Sequence, residues 1–136
     1  MDSTTRELVE AYLDKARRKL EVARKLAASG DFDDAVSRAY YAAFHAVRAL
    51  LASAGQNPTI HAGVVTLFNI LFVKSGKVPK DLGRLFINLK DDREGVDYEL
   101  FADADQALAS AAIEEAKRLV TEAQRYLQTV MGPEET

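Results

Sequence analysis

From Leu82 onward the apolar positions run Leu82, Leu85, Phe86, Leu89, Val96 and Leu100, the spacing of one buried helical face. Arg93 falls inside that stripe, between Leu89 and Val96, with Asp97 one turn further along. An unpaired buried guanidinium is very costly, so this position demands a partner or an aqueous cleft. Taken alone it reads as an Arg93–Asp97 ion pair at the stripe's margin, with Arg93 reaching back to water along its stem.

A second segment, Asp34 to Arg48, is helical by pattern. Val36, Tyr40, Ala43, Phe44, Val47, Leu50 and Leu51 form a broad apolar arc, while Asp34, Ser37, Arg38, Tyr41, His45 and Arg48 gather on the rest. At about 100° per residue, Arg38, Tyr41, His45 and Arg48 fall within roughly a quarter of the circumference. Arg48 alone reads as the wet side of a surface helix. The seam as a whole differs from a solvated face: alanines flank it, it lacks Lys and Glu, and it carries an aromatic and an imidazole.

Turn and cap signals divide the chain into helices. The first is predicted from Thr4, in a Thr4-x-x-Glu7 capping box, to Ser29, with Gly30 as its stop and a stripe of Leu8, Tyr12, Ala16, Leu20, Ala23 and Ala27. Asp31 or Asp33 opens the second, which ends near Gly55. Thr59 is the expected N-cap of a shorter helix over Ile60–Lys74, and Ser75 to Pro79 breaks the chain again. A fourth helix starts at Pro79 or Lys80 and is expected to weaken around Gly95. Asp103-x-x-Gln106 reads as another capping box, opening a last helix from Ala104 to about Met131 that Gly132-Pro133 ends. No segment shows strand alternation. Short connections between amphipathic helices predict antiparallel neighbours, hence an all-α up-and-down bundle of four main helices plus a short extra one. The chain is expected to form one domain over 1–136, with its core at about 4–131 and a short tail at 132–136.

Composition narrows the chemistry. A length of 136 residues suits one core, and 48% hydrophobic with 29% charged residues is ordinary for a globular protein. The absence of cysteine excludes disulfides, thiolate metal sites and cysteine nucleophiles. Two histidines without a paired spacing give no zinc site, so no metal and no cofactor are expected. The N-terminal stretch lacks a signal-peptide pattern and no apolar run reaches membrane-spanning length, so a cytoplasmic protein without membrane contact is expected. A net charge of -3 disfavours broad electrostatic binding of nucleic acid but allows a local basic patch. Ser75-Gly76-Lys77 lacks the rest of a phosphate-binding P-loop. The basic run Arg17 to Lys25, interleaved with Glu21, reads as a solvated face, as do Arg118 and Arg125. His61, near a helix start and followed by Gly63, reads as a loop organiser or a cap on a backbone carbonyl.

Together these segments resemble the HEPN family. The residues that carry the resemblance begin with Ala23, Leu26, Gly30-Asp-Phe32 and Ala35. They continue with Arg38-Ala-Tyr-Tyr-Ala-Ala-Phe44, Ala49-Leu-Leu51, Gly55, His61-Ala-Gly63-Val64, Phe68 and Gly76, and end with Arg93-Glu-Gly-Val-Asp-Tyr98. The two most specific blocks, Arg-x-Tyr-Tyr-Ala-x-Phe and Arg-x-x-x-Asp-Tyr, stand about fifty residues apart. The resemblance covers roughly residues 5–130 and implies the same helical bundle. It also implies a homodimer with its functional residues in a cleft at the interface, and the many alanines of the long helices (Ala104, Ala107, Ala109, Ala111, Ala112, Ala116, Ala123) are expected to permit close helix approach and to leave surface that a second copy could cover.

For the site, the resemblance implies the following. The family's ribonucleases carry an Arg, a polar residue, and a His about five positions on, where the Arg stabilises phosphate charge and the His moves protons. Here Arg93 and Glu94 match the first two, while Asp97 or Tyr98 occupies the histidine's place. Neither titrates near neutral pH as imidazole does. The isolated chain is therefore expected to be a poor metal-independent ribonuclease. His45 is the nearest substitute, and a lone helix histidine reads first as structural. Small HEPN proteins are often paired with a minimal nucleotidyltransferase in toxin–antitoxin-like modules, where a tyrosine of the motif can receive adenylate; Tyr98 lies close to that place. The preferred expectation is a regulatory, nucleotide-binding partner of such a transferase. Next come a structural or nucleotide-binding bundle without catalysis, and then a ribonuclease. Arg93, Asp97 and Tyr98 are the candidate catalytic residues. Arg38, Tyr41, His45 and Arg93 are the candidates for a nucleotide, phosphate or RNA, all expected to line one cleft.

Overall fold

The computed structural model describes residues 1–98 and 103–132. Within them the chain is all-helical, as predicted. Helix α1 spans Ser3–Ala28, α2 Phe32–Ser53, α3 His61–Phe68, α4 Asp81–Tyr98 and α5 Gln106–Met131, with a π-helical turn at Asn69–Val73 continuing α3. The expected Leu100 end of the α4 stripe lies outside the described residues.

Helix α2 is the centre of the bundle and packs against each of the other four. Its run of alanines (Ala35, Ala39, Ala42, Ala43, Ala46, Ala49) is buried, which lets neighbouring backbones approach closely around Tyr40, Leu50 and Leu51. One continuous buried cluster joins all five helices. Gly30, with φ of 82°, ends α1 in the left-handed conformation that glycine adopts without strain, and its amide bonds the Ala27 carbonyl at 3.1 Å. No helix among the described residues is long and apolar enough to cross a membrane.

Several boundaries and faces differ from expectation. Helix α1 is opened by Asp2, whose carboxylate accepts the Thr5 amide at 2.7 Å, rather than by the Thr4–Glu7 box. A carboxylate at a helix start also meets the positive end of the dipole, which favours the earlier cap. The buried face of α1 is Val9, Leu13, Ala16, Leu20 and Ala23. Leu8 is exposed and Tyr12 half-buried, so the first two turns present the neighbouring residues instead. Helix α5 likewise begins two residues late: Asp105 caps it through the Leu108 amide at 2.8 Å, while the Ala104 amide is taken by Asp33 of α2 at 2.6 Å. Thr59 does not cap α3, whose N-cap is Ile60.

The third helix is not one regular segment. At Asn69 it widens into the π turn, closed by the Lys74 amide on the Asn69 carbonyl at 2.8 Å. There it meets Gly83 of α4, where an added Cβ would stand 2.8 Å from Asn69 Oδ1. Helix α4, by contrast, runs through Gly95 without a break. Two pairs at i,i+4 brace this stretch, Lys90–Glu94 at 2.7 Å and Arg93–Asp97 at 2.9 Å, and offset the glycine's low helix propensity.

Candidate functional site

The misfit on α4 is resolved by aromatic rings. The Arg93 side chain is only 15% exposed, so it does not reach out to water as its position in the stripe suggested. Its guanidinium carbon stands 5.0 Å from the centroid of Tyr40 and 5.5 Å from that of Tyr41, both on α2. A guanidinium is the cation best suited to this setting, because it stacks on aromatic faces and is weakly hydrated. Nη1 donates to Asp97 Oδ2 at 2.9 Å, and Asp97 Oδ1 accepts the Ser37 hydroxyl at 3.2 Å. Nε is buried without a hydrogen-bond partner. The charge is thus supported by rings and half-neutralised by an exposed carboxylate.

Tyr40 connects Arg93 to a histidine. Its hydroxyl and His61 Nδ1 are 2.7 Å apart, across the gap between α2 and the first residue of α3. His61 therefore bonds a side chain, not the backbone carbonyl that sequence suggested. The imidazole stacks on Phe44 with centroids 4.4 Å apart and lies 5.8 Å from Tyr40 and 6.3 Å from Tyr41. It thus shares both tyrosine rings with Arg93. Beneath, Phe86 of α4 stacks on Tyr40 at 5.9 Å. Burial pushes the Tyr40 phenol up to about 12, so it stays protonated, although Arg93 pulls the other way. His61 is held below its ordinary value, first by burial and then by Arg93, Lys90 and Arg48, with Glu94 opposing.

The residues expected to share one cleft are brought together only in part. Tyr41 stands with Arg93 and Asp97 as expected. Arg38 is exposed on α2 and makes none of these contacts. His45 is buried between Tyr41 of its own helix, at 6.4 Å between centroids, and Tyr12 of α1, at 6.5 Å. Arg48 is not a solvated surface residue: its guanidinium lies 4.6 Å from the Tyr12 centroid and donates to Asn57 Oδ1 at 3.0 Å, an oxygen that also accepts the Tyr12 hydroxyl at 3.0 Å. Tyr98, at the end of α4, is 79% exposed, so its hydroxyl is open to solvent without any unwinding at Gly95. Arg118 and Arg125 are exposed as predicted, paired with Asp81 and Glu122. Among the described residues no group of acidic or histidine side chains is placed to hold a metal ion.

His45 is enclosed between α1 and α2, and its protonation is linked to folding. It is 9% exposed, and burial, with Lys15 and Lys19 of α1 and Arg48, pushes it down to about 4. The ring is neutral in the fold, whereas the unfolded chain takes up this proton near pH 6.5. Between those values the unfolded state binds more protons, so the stabilising contribution is complete above about pH 6.5 and is lost as pH falls toward 4. Its full size is about 3 kcal/mol. Urea unfolding at pH 7.5 and 4.5 should show the native protein losing about 2 kcal/mol more than His45→Leu. Equal losses in both would refute this.

The comparisons with known proteins agree with this architecture. "Putative toxin MJ0605" of Methanocaldococcus jannaschii is 32% identical over 130 residues, spanning 96% of this chain and 91% of the relative. A "UPF0332 protein" of Thermotoga maritima is 38% identical over 91 residues, 67% of this chain and 69% of the relative. The crystal structure of TT1696 from Thermus thermophilus superposes with a TM-score of 0.76 at 22% identity, over 88% of this chain and 98% of that one, and so shares its fold. The family profile described as the HEPN domain matches residues 9–126, and the chain belongs to that family.

Proposed function

We propose that this protein is the HEPN half of a toxin–antitoxin-like pair, a homodimer whose Arg93 site holds the phosphate of a nucleotide or RNA and whose partner is a minimal nucleotidyltransferase. The observation that carries this reading is the Arg93 guanidinium: nearly buried, ring-supported, and with Nε unpartnered. Such a group is retained at a cost in desolvation that hydrophobic packing would avoid, and its planar fork suits two oxygens of a phosphate. The toxin name of a relative 32% identical to this chain supports the biological class. The exposed Tyr98 hydroxyl supplies an acceptor that a transferase can reach.

Sedimentation equilibrium at micromolar concentration should give a dimer. Incubation with ATP and a purified minimal nucleotidyltransferase should add adenylate to the native chain but not to Tyr98→Phe. A monomer at every concentration would remove the shared cleft, and no mass change would remove the partner. A second reading, ribonuclease action, is favoured by one specific observation, an imidazole, His61, packed on the same two tyrosine rings as the Arg93 guanidinium.

A further inference from the structure

We propose that the open face of α1 is a docking surface for a partner polypeptide, an amphipathic helix with acidic residues at its centre and apolar residues at its ends. Leu8, Tyr12, Lys15, Lys19 and Val22 recur at alternating spacings of four and three, the seam that one helix offers another in a coiled coil. At about 100° per residue they share an arc of about 80°. This is not the face buried in the bundle, which is Val9, Leu13, Ala16, Leu20 and Ala23. Leu8 and Val22 remain 36% and 39% exposed, Lys15 is exposed, and Tyr12 and Lys19 are half-buried. Helix α1 thus carries two adjacent seams, and the fold covers one of them.

Charge selects the occupant of the other seam. The carboxylates of α1, Glu7, Glu10, Asp14 and Glu21, all fall outside that arc. Asp14 pairs with Arg18 and Glu21 with Arg24. Among the described residues no carboxylate pairs with Lys15, Lys19 or the neighbouring Arg48 of α2. Arg48 lies 4.6 Å from the Tyr12 centroid and so widens the cationic centre of the seam. The carboxylates of α2 are confined to its first turn, Asp33 and Asp34. From Leu8 to Val22 the helix rises roughly 21 Å at about 1.5 Å per residue, enough for about four turns of a partner helix. Glutamates or aspartates at the centre of that helix neutralise the three cations, and apolar ends cover Leu8 and Val22. Tyrosine and arginine at the middle are the residues on which such contacts concentrate their energy. A single-stranded nucleic acid would meet the cations but sets nothing against Leu8 and Val22, and the net charge of -3 repels a long polyanion. The surface uses none of the residues that contact Arg93, so it does not rest on the phosphate reading.

The test titrates the isotope-labelled full chain by NMR with a synthetic helical peptide that bears leucines at both ends of one face and glutamates between them. Its twin carries lysines in place of the glutamates. The native protein should bind the acidic peptide saturably, with amide shifts centred on α1 from Leu8 to Val22 and on the Arg48 turn of α2. It should ignore the basic twin. The double variant Lys15→Glu, Lys19→Glu should reverse that choice, binding the acidic peptide at least about tenfold more weakly and gaining the basic one. Val22→Ser, at an exposed position outside the core, should also weaken the acidic peptide, and it keeps the test open if the double variant does not fold. No binding of the acidic peptide, shifts centred elsewhere, or equal affinity for both peptides overturns the proposal. So does a native chain that binds single-stranded oligouridylate through Lys15 and Lys19 yet ignores the acidic peptide, an outcome that would give this face to nucleic acid.

Discussion

Arg93→Leu is expected to melt at or above the temperature of the native protein. The substitution removes two cation–π contacts, worth about 0.5–1 kcal/mol each at partly exposed sites, and one ion pair to a carboxylate that is 37% exposed. Asp97 keeps the Ser37 hydroxyl and its access to water, so it is not stranded as a buried charge. Against these losses, a leucine in the stripe of Leu89 and Val96 gains about 1.5–3 kcal/mol from burial and eliminates the unpartnered Nε. The balance favours leucine or is neutral. A thermal melt by circular dichroism checks it, and a fall corresponding to more than about 2 kcal/mol would show that Arg93 is there for the fold.

The largest loss of stability is expected at Phe86→Ala. Phe86 is fully buried, stacked on Tyr40 at 5.9 Å and edge-on to Phe68 at 5.7 Å, between α4, α2 and α3. Truncating it removes the transfer energy of the ring and leaves a cavity, costing about 3–5 kcal/mol. The melting temperature should fall by on the order of 10 °C or more. Because Phe86 is the floor beneath Tyr40, RNA binding by any folded fraction should also weaken. A drop of only a few degrees would mean that α3 and α2 can close over the gap.

These two positions show how far the sequence could be read. Arg93 is legible because a helical stripe has a strict period, and a charge inside it is visible from one segment alone. The helices are legible for the same reason, and the ion pair with Asp97 follows from i,i+4 spacing. His61 and Tyr40 are different. Tyr40 falls on the apolar arc of α2 and is indeed core, so nothing in its own segment reveals that its hydroxyl faces a histidine 21 residues later. That contact depends on how the Gln56–Thr59 loop returns α3 to α2, which no periodicity encodes. The available signal was His61-x-Gly63 together with an aromatic-rich face, Tyr40, Tyr41 and Phe44, that had more rings than a helix interface of alanines needs. His45 misled for the complementary reason: its angular place beside Tyr41 is real, but the crossing of α1 over α2 encloses it. The π turn at Asn69 was foreshadowed by a polar residue inside an apolar run, opposite a glycine on α4.

That Arg93 exists to hold a phosphate, rather than to complete the bundle, is tested most directly by titrating the native protein and Arg93→Leu with 2′-O-methyl single-stranded RNA while following the His61 imidazole by NMR. The expected result is saturable binding by the native chain with a shift of the His61 ring resonances, weakened at least about tenfold, or 1.4 kcal/mol, in Arg93→Leu. Equal affinity in the two proteins, or binding that leaves the His61 resonances unmoved, would contradict it.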